Sequence, residues 1–278
     1  MNRTNYHSHC DFCDGKAPME EYIKAAIGAG FSAYGVSSHA PLPFVMNYTM
    51  RREDVPAYLE EVKRLRDLYR EHLEVYAGME IDYLKGQISP ADAYFQELPL
   101  DYRIGSVHLL YTDDGNIIDT DTSGEKFAFL LRHHFKGDLR YMVGAYFRAM
   151  MDMVDAGGFD FVGHADKICL NAERCEAGVG GKAWYRKLRN DFFDFVSAKG
   201  IALEINTKGW DKYHCFFPDE HCWKDILERG ISLVVNSDVH VPALVNAGRE
   251  EALGRLKEAG CRTVRELHGG VWQEVPIG

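Results

Sequence analysis

Short apolar segments recur along the chain, each ending in a polar side chain able to bind a metal. Ala33-Tyr34-Gly35-Val36 runs into Ser37-Ser38-His39, Glu74–Met79 into Glu80, and the segment from Tyr102 into Ser106-Val107-His108. Further on, Phe159–Gly163 runs into His164-Ala165-Asp166 and Ser232–Asn236 into Ser237-Asp238-Val239-His240, with Ile201–Thr207 between them. Amphipathic stretches separate these segments. Met19–Ala29 offers Tyr22, Ala25, Ala26 and Ala29 to one helical face before Gly30; Arg52–Glu71, a helical region over about 125–156, and Trp184–Ala198 follow. Phe192, Phe193 and Phe195 read as core, and the adjacent His133-His134 pair as surface or packing, since neighbours on a helix do not face one another. About seven strands alternating with helices argue for parallel βα units. A closed barrel gathers strand C-termini at one active face. An open doubly wound sheet uses a crevice between a few strands, which leaves ligand-type residues on nearly every strand unexplained.

The opening segment Asn5–Cys10 reads as a further strand. Side chains alternate across a strand, so His7 and His9 share a face, with Asp14 close behind in a loop. The strand tips together supply His7, His9, Asp14, His39, Glu80, His108, His164, Asp238 and His240. That is more than one tetrahedral zinc requires. The set suits two or three divalent ions, with Glu80 as the bridging carboxylate, and its imidazoles and carboxylates accept zinc, iron or manganese. Such ions lower the pKa of bound water and neutralise a phosphoryl group. No Gly-x-Ser-x-Gly nucleophile elbow competes with this reading.

Composition narrows the class. A formal charge of −10 argues against binding long nucleic acid through a basic surface. No run of about 18 apolar residues suggests a membrane span, and no signal-peptide pattern opens the chain, so the cytoplasm is expected. The seven cysteines are scattered and odd in number, which does not suggest a disulfide framework. Cys10-x-x-Cys13 lies between a strand and a loop rather than at a helix start, so the pair reads as small thiols beside the metal site rather than a redox motif. Without Gly-x-Gly-x-x-Gly, a Walker sequence or a low-complexity linker, one domain over 1–278 is expected.

His7-Ser8-His9, Ser38-His39, Gly78-Met79-Glu80, Ile104-Gly105-Ser106-Val107-His108, Gly163-His164-Ala165-Asp166, Glu204-Ile205-Asn206-Thr207 and Ser237-Asp238-Val239-His240 together resemble the successive motifs of the PHP superfamily (polymerase and histidinol phosphatase). The last four most resemble its stand-alone histidinol-phosphatase branch. The resemblance implies a distorted (β/α)7 TIM-like barrel with a trinuclear metal centre. It implies hydrolysis of L-histidinol phosphate, a small-molecule phosphate ester, to L-histidinol and phosphate in histidine biosynthesis, with metal-activated hydroxide as nucleophile. The nine strand-tip residues match the family's ligands, Asp14 at a position that varies between Asp and His.

Lys208 falls where this branch tends to carry a basic residue for the phosphate. A second phosphate-binding Arg has no counterpart, because Leu170 occupies its place, and Lys167 or Arg174 are the candidates to replace it. Asp119 or Asp121 are candidates to bind the substrate's amino group, and Asp238 and His240 to act as acid. An alternative is a PHP phosphoesterase acting on nucleotides or nucleic acid ends. A binuclear amidohydrolase lacks its usual strand-end Lys before His164, and a metal-binding module without turnover is at odds with a full ligand set. Oligomeric state is left open.

Overall fold

The computed structural model describes residues 2–278. Strand β1 (Thr4–Asn5) pairs in parallel with β2 (Ala33–Val36), and β2 with β3 (Glu74–Ala77). Gly78 and Met79 interrupt that last stave before it resumes as β4 (Glu80–Asp82), which pairs with β5 (Ile104–Ser106). A small antiparallel ribbon, β6 (Leu109–Tyr111) and β7 (Ile117–Asp119), projects beyond β5. The parallel sheet continues through β8 (Phe161–Val162), β9 (Ala202–Asn206) and β10 (Leu233–Asn236). Ser8, beyond β1, bridges Val239, beyond β10, and His39 bridges Glu80. The two sheets therefore close on themselves as a distorted barrel of seven staves. Its strands are short and almost wholly buried, as parallel strands covered on both faces must be.

Helices wrap the outside: α1 (Met19–Gly28), α2 (Val55–Tyr69), α3 (Ala93–Glu97), α4 (Gly124–His134), α5 (Leu139–Ala156), α6 (Ile168–Cys175), α7 (Ala183–Lys199), α8 (Trp210–Tyr213), α9 (Trp223–Glu228) and α10 (Arg249–Glu258). The spacing of apolar residues decides which face each helix buries. In α5, Met142, Val143, Tyr146, Phe147, Met150, Met153 and Val154 turn inward, and in α7 so do Tyr185, Phe192, Phe193 and Val196. Each such large side chain contributes about 1.5–3 kcal/mol relative to exposure. His133 lies exposed, as expected, stacked on Phe129.

One expectation needs correction. The helical region over 125–156 is two helices. Lys136 and Gly137 both take positive φ, 54° and 75°, which ends α4, and the Asp138 side chain caps α5 by accepting the Tyr141 N–H. After His108, β7 folds back on β6 and carries Asp119 to the top of the barrel. The chain ends in a hairpin, β11 (Thr263–His268) paired with β12 (Val271–Pro276).

That hairpin closes the barrel end opposite the strand tips. Trp272 sits 5.2 Å from the Tyr6 ring and 5.8 Å from Phe161, centroid to centroid. The Tyr6 hydroxyl donates to the Leu267 carbonyl at 2.9 Å and accepts the Leu267 N–H at 2.8 Å. Above it, the Tyr102 hydroxyl donates to the Tyr6 carbonyl at 2.6 Å. Gly35 and Gly78 make room for that ring, since a Cβ at either would overlap it. Replacing Gly78 with Ala is expected to lower the unfolding free energy by about 1–3 kcal/mol through overpacking. A Cβ at Gly28 of α1 meets nothing within 4 Å, so Gly28→Ala is expected to be neutral or stabilising by up to about 1 kcal/mol. Urea unfolding of both variants checks this; a Gly78→Ala protein as stable as wild type contradicts the packing account.

Candidate metal centre

The C-terminal ends of the staves converge on Glu80. Its Oε1 lies 2.7 Å from His164 Nε2 and 3.6 Å from His108 Nε2. Its Oε2 lies 2.9 Å from His39 Nδ1, 3.2 Å from His7 Nε2 and 3.5 Å from His9 Nε2. The two oxygens thus face separate groups of imidazoles, the arrangement of a carboxylate that bridges two ions. Asp238 Oδ1 is 3.1 Å from His9 Nε2, and Asp14 Oδ1 is 3.2 Å from His240 Nε2. Four overlapping sets each bring one ligand atom per residue within 4.8 Å: His9, Asp14, His39 and His240; His7, His164 and Asp238; His7, His9 and Glu80; His39, Glu80 and His108. All nine strand-tip residues fall within these sets.

The donor set fits divalent cations on two further grounds. Five buried atoms of the cluster have no hydrogen-bond partner: His7 Nε2, His9 Nε2, Asp14 Oδ1, His39 Nδ1 and Glu80 Oε2. His39 Nδ1 and Glu80 Oε2 are close but lack hydrogen-bonding geometry. A buried polar atom left unpaired costs about 1–3 kcal/mol, and all five of these converge on the same space. The backbone is strained here as well. His164, Asp166 and Asp238 adopt positive φ, rare for residues with a side chain and a frequent mark of functional sites.

Further carboxylates orient the imidazoles. Glu204 Oε1 lies 2.7 Å from His7 Nδ1, and its Oε2 accepts the His164 N–H at 2.7 Å. Asn206 and Asn236 donate to the same carboxylate. Asp82 Oδ1 lies 2.8 Å from His108 Nδ1 and 3.1 Å from its backbone N, while Tyr48 donates its hydroxyl to Asp82 Oδ2. Such partners fix the tautomer and raise the basicity of a ligating imidazole. Sequence reasoning quoted Glu204 without a role and missed Asp82 and Tyr48. Asp82 was within reach, since in a strand the residue at i+2 shares a face with Glu80; Tyr48 left no signal.

A cleft of about 410 Å³ opens beside the cluster, lined by Asp14, Lys16, His39, Asn47, Tyr48, His108, Asp119, Asp121, Thr122, Lys126, Lys208, Asp238 and His240. The segment Ala40–Thr49 supplies its wall through Asn47 and Tyr48. Lys208 Nζ sits 3.2 Å from Asp238 Oδ1 and 3.3 Å from His240 Nε2. Lys167 lies just beneath, 2.6 Å from Asp121 Oδ2 and 4.0 Å from Asp238 Oδ2. Burial works against the Lys167 charge, but the carboxylates of Asp121 and Asp238 outweigh it and hold its pKa above the ordinary lysine value. Arg174 is not brought to the cleft. Its guanidinium donates to Asn171 Oδ1 and lies over the Tyr213 ring, because α6 turns that face away. Cys13 Sγ is 3.5 Å from His9 Nδ1, and Cys10 Sγ 3.3 Å from Ser38 Oγ; both thiols are free.

The family model for the PHP domain matches residues 5–208. The chain belongs to the PHP family. PHP relatives align along nearly its whole length. A protein of Deinococcus radiodurans named as a probable histidinol-phosphatase is 26% identical, covering 94% of this chain and 95% of its own. The histidinol-phosphatase of Bacillus subtilis is 23% identical over 92% of this chain and 100% of its own. The crystal structure of the Lactococcus lactis histidinol phosphate phosphatase, complexed with zinc, L-histidinol and phosphate, superposes with a TM-score of 0.72 at 18% identity, covering 98% of this chain and 99% of that one. The PHP barrel is therefore the fold of this chain.

The protonation of the PHP cluster gives a direct prediction. Burial disfavours a charged His7, yet Glu204, Asp238 and Glu80 hold its pKa well above the ordinary value; for His108, Asp82 and Glu80 outweigh burial and raise it to about 9. Burial lowers His164 to about 4 and takes His9 well below the ordinary value. These shifts favour protons on His7 and His108 in the ion-free protein, which a metal must displace. Metal uptake is expected to release about one to two protons per chain, and affinity to weaken as pH falls. Calorimetry in buffers of different ionisation enthalpy measures this; uptake without proton release contradicts it.

Proposed function

We propose that this chain is a metal-dependent phosphomonoesterase that hydrolyses L-histidinol phosphate to L-histidinol and phosphate, a step of histidine biosynthesis. The proposal covers one domain over 1–278 acting in the cytoplasm; no helix among the described residues is long and apolar enough to cross a membrane. The observation that carries the reading is the side-by-side placement of a nine-residue ligand cluster and a lysine-bearing cleft. The ligand content of the Lactococcus lactis enzyme supports the choice of ester.

Divalent ions held by the cluster, two or three of zinc, iron or manganese, would acidify water and offset phosphoryl charge. The remaining work falls to side chains of the cleft. Lys208 Nζ, on the open side of Asp238, holds a nonbridging phosphoryl oxygen as charge redistributes. Lys167, pinned by Asp121, adds positive potential from below and takes the place that Arg174 does not reach. Asp238, ringed by His7, His9 and Lys208, serves as a carboxylate. His240 lies beside Lys208 at the cleft, where it would either hold an ion or pass a proton to the leaving oxygen, two roles that exclude one another. Glu204 and Asp82 hold His7 and His108 in orientation.

Phosphate release from L-histidinol phosphate, measured beside sugar phosphates and nucleotides, tests the proposal. Activity is expected to favour histidinol phosphate, to be lost to chelator and to return with metal. Lys208→Ala is expected to lower kcat/KM about 10- to 100-fold with metal content unchanged. Metal-dependent release from the other esters alone would sink the histidinol phosphate assignment.

A further inference from the structure

An imidazole that faces a metal with one ring nitrogen needs a partner for the other. His7 Nδ1 lies 2.7 Å from Glu204 Oε1, His108 Nδ1 2.8 Å from Asp82 Oδ1, and His240 Nδ1 3.0 Å from the Asp238 carbonyl oxygen. His9 differs from these three. Its Nδ1 faces a sulfur, Cys13 Sγ at 3.5 Å, which is its one hydrogen-bond partner among the described residues. Asp14 Oδ1 lies 4.0 Å from the same nitrogen, beyond hydrogen-bond reach, and belongs to a ligand set itself. The opposite nitrogen, Nε2, is buried without a hydrogen-bond partner. It points between Asp238 and Glu80, 3.1 Å and 3.5 Å from their carboxylate oxygens.

The loop after His9 returns that sulfur to the ring. The N–H groups of Cys13 and Gly15 both donate to the Cys10 carbonyl, at 3.0 Å and 3.1 Å, which folds residues 10–15 into a tight turn. Gly15 packs so closely on this turn that a Cβ there would lie 2.5 Å from Cys10 Cα. The Lys16 N–H donates to the His240 carbonyl at 2.9 Å and ties the far end of the loop to another ligand. Cys13 is thereby brought beside a residue four positions earlier, while Cys10 turns its thiol to Ser38 Oγ. We propose that Cys13 is the positioning residue of His9. Its sulfur accepts the Nδ1–H, which fixes the tautomer that leaves Nε2 free for a divalent ion and holds the ring in place. Sulfur is a weaker acceptor than the carboxylates behind His7 and His108, so the hold on His9 is the softest of the three. Cys13 is not itself a ligand, since it belongs to none of the four ligand sets. The inference rests on the metal-binding part of the proposed function and is independent of which ester is hydrolysed.

The test measures the zinc affinity of the full chain by competition with a chromophoric chelator, with zinc content counted on the same protein, in wild type, Cys13→Ala, Cys13→Ser and Cys10→Ala. Cys13→Ala is expected to weaken the binding of a zinc ion about 10-fold, the low end of what losing such a partner does. Cys13→Ser, whose hydroxyl oxygen accepts a hydrogen bond, is expected to recover the affinity to within about threefold of wild type. Cys10→Ala removes the neighbouring thiol, which does not touch the His9 ring, and is expected to bind zinc as wild type does. Unchanged affinity in Cys13→Ala overturns the inference. So does a loss shared equally by Cys13→Ala and Cys13→Ser, or by Cys13→Ala and Cys10→Ala, which would reduce the thiol to packing. A thiolate-to-metal charge-transfer band in cobalt-loaded wild type, abolished by Cys13→Ala, would make Cys13 a ligand and overturn it as well. NMR of the ring nitrogens in zinc-loaded wild type requires no variant to fold: His9 is expected to carry its proton on Nδ1, and a proton on Nε2 overturns the inference. A wild type that takes up no divalent ion fails the metal reading and this inference with it, whereas ion uptake indifferent to Cys13 fails this inference alone.

Discussion

Glu80 is the residue on which the top of this barrel depends. It is 1% exposed and surrounded by His7, His9, His39, His108 and His164. A carboxylate cannot lose its water at such a site without compensation. The surrounding imidazoles, with His7 and His108 shifted toward their charged forms, compensate in part, and divalent cations would do so more completely. The same demand explains the unpartnered atoms that face Glu80 and the carboxylates behind the imidazoles. It also accounts for the strained backbone at His164 and Asp238, whose side chains reach the cluster from positive φ.

The barrel below is arranged so that this cluster has a fixed floor. Tyr102 fills the space left by Gly35 and Gly78, Tyr6 packs edge-to-face beneath it, and the terminal hairpin covers both. Side chains in such a packed core have little freedom to shift. His7 follows Tyr6 directly, so the packing of the plug and the placement of the first ligand are set by neighbouring residues just beyond β1.

Much of this was legible in the sequence, for a physical reason. Strands that point their C-termini at one site must place ligand residues at their ends, so position along each apolar segment identifies the residue. His7, His39, Glu80, His108, His164 and Asp238 were all found this way, and Gly35-Val36 and Leu233–Asn236 fell within strands as expected. What remained hidden acts through another residue or across the chain. Tyr48 reaches Asp82 from a loop without periodicity, and β12 has only a turn to announce it. The split between α4 and α5 was visible in Gly137, but the apolar rhythm on either side masked it. Arg174 has the right charge near the right motif, yet the phase of α6 turns it toward Tyr213; spacing in sequence does not fix which face a short helix presents. The difference between Asp119 and Asp121 is a matter of which one Lys167 reaches, and that is a distance in space.

The proposed centre turns on Glu80, whose two oxygens would join more than one metal ion. The most direct measurement is the anomalous diffraction of metal-loaded crystals of wild type and Glu80→Gln, with metal content measured on the same protein. The account predicts roughly two or three ions in the wild type, at least two of them sharing Glu80, and at most one retained by Glu80→Gln. A single ion in both proteins, or ions bound without contact to Glu80, would contradict it.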